Sequence, residues 1–321
     1  MKKHIFLVLI LGTSLLSGAC TGKEDVAVEI LPTNTIKPTE ISRLMPGEPP
    51  EAERTLEDVD SSIKAKEKRA ITGDNILNNL YERPFTSQEM VYQPDLNILT
   101  VALASDESFF YYTIALEDLD PDIGALTGSY GIEFDRTQSG RGDLLVWVKD
   151  PSVQWSVEGV TVYSDPNGVV GGIKPILAEE GFDGFGYQDT LELVGDQVAW
   201  ARIAPDDSSA IQIAVSRALL DNAEEFLWGA WADGGVQDPS LFDYDDHFGP
   251  SAAGSPIKTD ADYPLKALFS LDNTCRLPYG FDQMASSIPG MCITSKPSET
   301  CVCTFWVNLG ATRVCVNWEC H

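Results

Sequence analysis

The chain has 321 residues, enough for one large domain with extensions, and 43% of them are apolar, sufficient for a real core. Forty-nine acidic residues against 22 basic ones leave a formal net charge of −27. That balance excludes a phosphate-binding nucleic-acid surface and an electrostatic grip on anionic lipid, and it suits solubility on a cell exterior.

The first element in chain order is an export signal. Lys2 and Lys3 precede the apolar run "IFLVLILGTSLL", which is too short to span a bilayer stably. "SGAC" follows, with Ser17 and Ala19 meeting the small-x-small rule of ordinary signal cleavage. "LLSGAC" also resembles a bacterial lipobox, with Ser17 where Leu is usual. Both routes cut before Cys20. The seven cysteines favour lipidation. Six of them, Cys275, Cys292, Cys301, Cys303, Cys315 and Cys320, form an even set near the C-terminus, leaving Cys20 without a partner. Thioether-linked lipid at Cys20 would anchor the chain to the cell membrane, facing outward, with simple secretion as the alternative.

Residues 20–75 read as a disordered tether, rich in Pro, Thr, Glu and Lys. From there to residue 270 the texture is that of strands. "LNILTVALASD" and "SFFYYTIALED" form an antiparallel pair, and "SYGIEFD" and "DLLVWVKD" bracket a polar loop. "GVTVYSDPNG" ends in a turn signal. "DTLELVGDQVAWARIAPDDSSAIQIAVS" reads as three strands, and "FLWGAWAD" closes the series. Only "SRALLDNAEE" looks helical. Roughly eight or nine strands at this spacing predict an all-β, antiparallel β-sandwich, jelly-roll-like. Residues 271–321 read as a small disulfide module, whose rival is a zinc site at Cys301, Cys303, Cys315, Cys320 and His321.

Chemistry-bearing patterns are sparse. Histidine occurs at His4, His247 and His321, and the chain carries no nucleophile elbow, zinc-protease helix or phosphate loop. Glu179, Glu180, Asp183 and Asp189 lie near Phe185 and Tyr187, and a glycosidase needs two such carboxylates. Asp243, Asp245, Asp246 and His247 form a second acidic group that could hold a hard cation. The loop "FDRTQSGRGD" offers Asp135, Thr137, Ser139 and Asp143 as ligands of a structural calcium ion, the candidate cofactor; its rivals are a bulged hairpin turn and an Arg-Gly-Asp adhesion tripeptide. Among the aromatics, Trp147, Trp155, Tyr187, Trp228 and Trp231 are candidates to stack on a sugar. Alternation puts Phe226 and Trp228 on one strand face and Trp231 on the other, so one of the two tryptophans should be core and the other more exposed.

Over about residues 85–250, "DLNILTVALASDESFFYYTIALED", "YGIEFDRTQSGRGDLLVWV", "VAWARI" and "IQIAVSRALL" resemble blocks of the DOMON-like domains and family-9-like carbohydrate-binding modules. The resemblance implies a sandwich that binds sugar or haem, in some cases with structural calcium. No Met/His pair is evident for haem. Together these readings give a non-catalytic surface protein whose ligand is a glycan. The alternatives are a structural or adhesion component with a protein partner, and a glycoside hydrolase. Oligomeric state and ligand identity are not legible.

Overall fold

A computed structural model describes residues 44–171, 186–242, 248–257, 264–282, 288 and 290–292, together with the backbone of two late strands. The signal segment, Cys20, Glu179, Glu180, Asp183, Phe185, the Asp243–His247 group, Cys301, Cys320 and His321 lie outside the described residues.

Fifteen strands are formed among the described residues: β1 Arg54–Glu57, β2 Glu82–Arg83, β3 Ile98–Ser105, β4 Phe109–Leu116, β5 Ser129–Asp135, β6 Leu144–Lys149, β7 Val160–Ser164, β8 Asp189–Thr190, β9 Ala199–Ala204, β10 Asp207–Ser216, β11 Phe226–Asp233, β12 Leu271–Asn273, β13 Leu277–Tyr279, β14 Val302–Leu309 and β15 Thr312–Glu319. Five make one antiparallel sheet, in the order β1-β3-β4-β10-β9. A second sheet runs β2-β12-β11-β5-β6-β7-β8, with β13 also pairing with β11. β14 and β15 form a separate hairpin sheet.

The two large sheets pack face to face as the antiparallel sandwich the strand pattern predicts. Alternation in β4 sends Phe110, Tyr112, Ile114 and Leu116 inward, where they join Ile211, Ile213 and Val215 of β10. From the other sheet come Tyr130, Ile132 and Phe134 of β5 and Phe226, Trp228, Ala230 and Ala232 of β11. Tyr112 packs edge-on against Phe134 and Trp228, with ring centroids 5.7 and 5.2 Å apart. In β3, Ile98 and Val101 both face this core although they are three positions apart, because the register with β4 slips between Ile98 and Thr100. Each fully buried Phe, Leu or Ile here contributes about 1.5–3 kcal/mol.

The outer face of the larger sheet is not open to solvent. Tyr81, Phe242 and Leu268 cover it, packing with Leu145 and Trp147 of β6, Tyr187, Trp231 and Leu271 of β12 in a second core. This explains why every residue of β5 and β11 is buried.

Two boundaries differ from the sequence reading. The tether does not reach residue 75. Arg54–Glu57 pairs with β3 as the edge of the five-stranded sheet. At the other end, Leu271–Tyr279 belongs to the sandwich, because β12 and β13 both pair with β11. A disulfide joins Cys275 to Cys292.

Candidate functional site

The structure gathers Trp147, Tyr187 and Trp231 in the second core and places Trp228 in the core between the sheets. Trp147, Trp228, Trp231 and Tyr187 are each at most 1% exposed. Trp228 and Trp231 do occupy opposite faces of β11, as alternation requires, but both faces are covered. An open stacking surface built on these four residues is therefore ruled out. Trp231 stacks on Phe242 at 4.6 Å, and Trp147 meets the same ring edge-on at 4.9 Å.

Trp155 is the exception. It is half-buried on the outer face of the five-stranded sheet, beside Tyr111 of β4 at 6.3 Å between ring centroids. Ser156 and Ala201 of β9 exchange two backbone hydrogen bonds, at 3.0 and 2.9 Å, which seat the Trp155 segment along the sheet edge. Trp200 and Arg202 are two residues apart on β9 and so share this outer face. The Arg202 guanidinium lies 4.3 Å over the Trp155 ring.

A piece of the chain's own N-terminal region, Leu44–Glu48, lies on this aromatic platform. Trp200 Nε1 donates to the Leu44 carbonyl at 3.0 Å, and Trp155 Nε1 donates to the Gly47 carbonyl at 3.1 Å. The Gly47 N–H donates to the Tyr111 hydroxyl at 3.1 Å, and that hydroxyl donates to Asp106 Oδ2 at 2.8 Å. Burial and the neighbouring Asp106 push the Tyr111 hydroxyl up to about 12, so it stays a protonated donor. Pro46 is buried between the two gripped carbonyls. Arg202 closes the far end with a two-pronged contact to Glu48, Nη1–Oε1 3.0 Å and Nη2–Oε2 2.6 Å. The Arg202 hydrogen bond holds the Glu48 carboxyl below its usual value. Gln212 on β10 accepts from Arg202 Nε at 2.7 Å and fixes the fork. Of these residues only Trp155 stands out in the sequence. The signals for the others are weak: a lone Arg two positions after a Trp in the apolar strand "VAWARI", and Pro-containing "LMPGEPP" upstream.

The polar loop between β5 and β6 is a capped turn rather than a calcium loop. Asp135 is buried and its oxygens are taken: Oδ1 accepts from Thr137 Oγ1 at 2.9 Å and Ser139 N at 3.1 Å, and Oδ2 accepts from Gly140 N at 2.7 Å. Asp143 is occupied by Arg136, whose N and Nε donate to it at 2.8 Å each. A cation between these groups would face N–H donors and a guanidinium. Thr137, Ser139, Arg141 and Asp143 instead wall a cleft of about 440 Å³ with Asp165 and Asp221.

Both glycines near the end of the loop have a structural cause. Gly140 sits at φ +84°, and its carbonyl accepts from Arg276 Nη1 at 2.9 Å. A Cβ on Gly142 would lie 1.9 Å from the Tyr187 hydroxyl and 2.1 Å from Glu133 Oε1. Those two atoms belong to a buried polar network unseen in the sequence. Glu133 accepts from Tyr187 OH at 2.8 Å, Trp231 Nε1 at 3.2 Å, and Arg276 Nε and Nη2 at 3.2 and 2.9 Å. Tyr187 thus serves as an internal hydrogen-bond donor, not as a sugar platform.

Of the acidic residues weighed for catalysis, Asp189 is exposed on β8. Carboxylates converge elsewhere, at Asp58, Glu82 and Asp272. No helix among the described residues is long and apolar enough to cross a membrane. Cys303 and Cys315 fall within β14 and β15. Compared with protein families, curated proteins and solved structures, the chain matches none of them.

Proposed function

We propose that the chain is a non-catalytic binding module, exported through its N-terminal signal and held at the cell surface by lipid on Cys20. Its ligand on this reading is a protein partner presenting an extended, acidic, proline-containing peptide. The observation that carries it is the grip of Trp155, Trp200, Tyr111 and Arg202 on Leu44–Glu48. Two indole N–H groups and one phenol read backbone polar groups, which any extended peptide presents. Pro46 and the Glu48–Arg202 contact add sequence preference. Aromatic surfaces that hydrogen-bond the carbonyls of a stiff proline-containing segment are a recurrent peptide-recognition mode, because such a segment has little entropy to lose. The chain's own segment then acts as an intramolecular occupant that an outside peptide must displace.

A glycan remains the second reading, on one observation: with the segment lifted, Trp155 and Tyr111 would offer two adjacent rings. The test uses the full chain carrying Pro46→Ala and Glu48→Arg, with release of the segment read as a red shift of tryptophan emission. A synthetic peptide with the sequence of residues 43–50 should then bind, and Arg202→Ala should weaken that binding about tenfold. Released protein that ignores the peptide would refute the peptide reading; if it binds oligosaccharides instead, the glycan reading stands.

A further inference from the structure

Three carboxylates from distant parts of the chain meet where the two sheets approach each other. Asp58 directly follows β1, and its N–H donates to the Leu99 carbonyl of β3 at 3.0 Å. Glu82 on β2 and Asp272 on β12 are direct partners across the larger sheet's ladder. One oxygen of each residue lies within 4.8 Å of those of the other two. Glu82 and Asp272 are buried. Asp58 Oδ2, Glu82 Oε2 and Asp272 Oδ1 are all shut off from solvent and make no hydrogen bond. The second Asp272 oxygen accepts from Ile98 N at 2.7 Å, which fixes the plane of that carboxylate.

Nothing basic offsets this charge in the ion pairs of the described residues. Arg83, next to Glu82, points to the opposite side of its strand, where its Nε and Nη2 hold Asp74 at 2.7 and 2.9 Å. Gly73 closes over the cluster: at φ +128°, a Cβ there would lie 2.8 Å from Glu82 Cγ. Burial pushes Asp58 up to about 7. Burial, then repulsion from its acidic neighbours, raises Glu82 and Asp272 well above the carboxylate range. Buried polar atoms are almost always partnered, so three orphaned carboxylate oxygens in one cluster call for a ligand.

A single hard cation satisfies all three. Oxygens bound to one calcium ion at 2.3–2.6 Å can be at most about 5 Å apart, which matches this spacing. The all-oxygen donor set excludes a preference for zinc or copper. Magnesium keeps several waters in a strict octahedron, whereas calcium accepts irregular carboxylate sets. We propose that Asp58, Glu82 and Asp272 form a calcium site that clamps β1 of the five-stranded sheet to the β2–β12 edge of the other sheet. This site is separate from the hairpin loop and independent of the peptide platform.

The experiment is thermal melting of the full chain in millimolar calcium and in chelator, for the wild type, Glu82→Gln and Asp58→Asn. The wild-type midpoint should rise by several degrees with calcium, since a ligand bound only by the folded state stabilises it. Each amide variant should lose that rise. In chelator each should melt above the wild type, because an uncompensated buried carboxyl is gone. That reversal of order is not expected of residues that merely pack. Equal melting of the wild type in calcium and chelator overturns the proposal, as does a calcium shift undiminished in both variants.

Discussion

Glu133 shows how much one buried charge can organise. It stands in the middle of β5, between residues that are all buried, and accepts from Tyr187, Trp231 and Arg276. A charged residue inside the apolar run "YGIEFD" is visible in the sequence, but its partner is 143 residues away. Only the sheet order, which sets β5 against β11 and the chain after β12, makes the pairing readable. Removing one member of such a pair strands the other without water. Arg276→Met should therefore destabilise the protein by about 3–5 kcal/mol in denaturant unfolding, and the double variant Glu133→Leu with Arg276→Met should recover only part of that loss, because the buried Tyr187 and Trp231 donors then lose their acceptor. Trp147 and Trp231 are closed off for a related reason. Alternation fixes which way each side chain points, but not whether loops cover that face, and here Phe242 and Leu268 do.

Elements with strong alternation were legible, and those defined by distant partners were not. The strands from "LNILTVALASD" to "FLWGAWAD" form where the pattern places them. "DTLELV" shrinks to Asp189–Thr190, because Leu191, Leu193 and Val194 are left exposed without a face to cover. "SRALLDNAEE" becomes one short turn, Arg217–Leu220, capped by the Ser216 hydroxyl and stopped by Asp221 at φ +55°. By composition the segment Leu44–Glu57 reads as tether, being polar and proline-rich. Its order comes from Trp200, Trp155 and β3, none of them local. After β12, the Cys275–Cys292 bridge flanks Arg276, whose backbone exchanges hydrogen bonds with Gly290 and Cys292 at 2.8 and 2.9 Å. Cys292→Ser should lower stability by about 2–4 kcal/mol, measured by denaturant unfolding under non-reducing conditions.

At the scale of the whole molecule, the N-terminal region is what completes the sandwich. β1 supplies the fifth strand, and the segment before it covers the outer aromatic face. Acidity at this scale also had two meanings that composition could not separate. Among the described residues most carboxylates are exposed and solvating, while Asp58, Glu82 and Asp272 are gathered by the topology from three corners of the sequence. There is a further consequence of β1 being an outermost strand. It is only four residues long, and Arg54 and Glu57 at its ends are charged and exposed, so it makes a poor template for other chains. Behind it lies β3, "ILTVALAS", eight residues with an uncharged apolar sequence. Cleavage that removes residues 44–57 would bare that edge and make it a seed for intermolecular β-pairing. The truncated chain should scatter light and bind an amyloid-reporting dye under conditions where the full chain does neither. β1 is in this sense the protein's guard against aggregation, and a protease that clips ahead of residue 58 would disarm it.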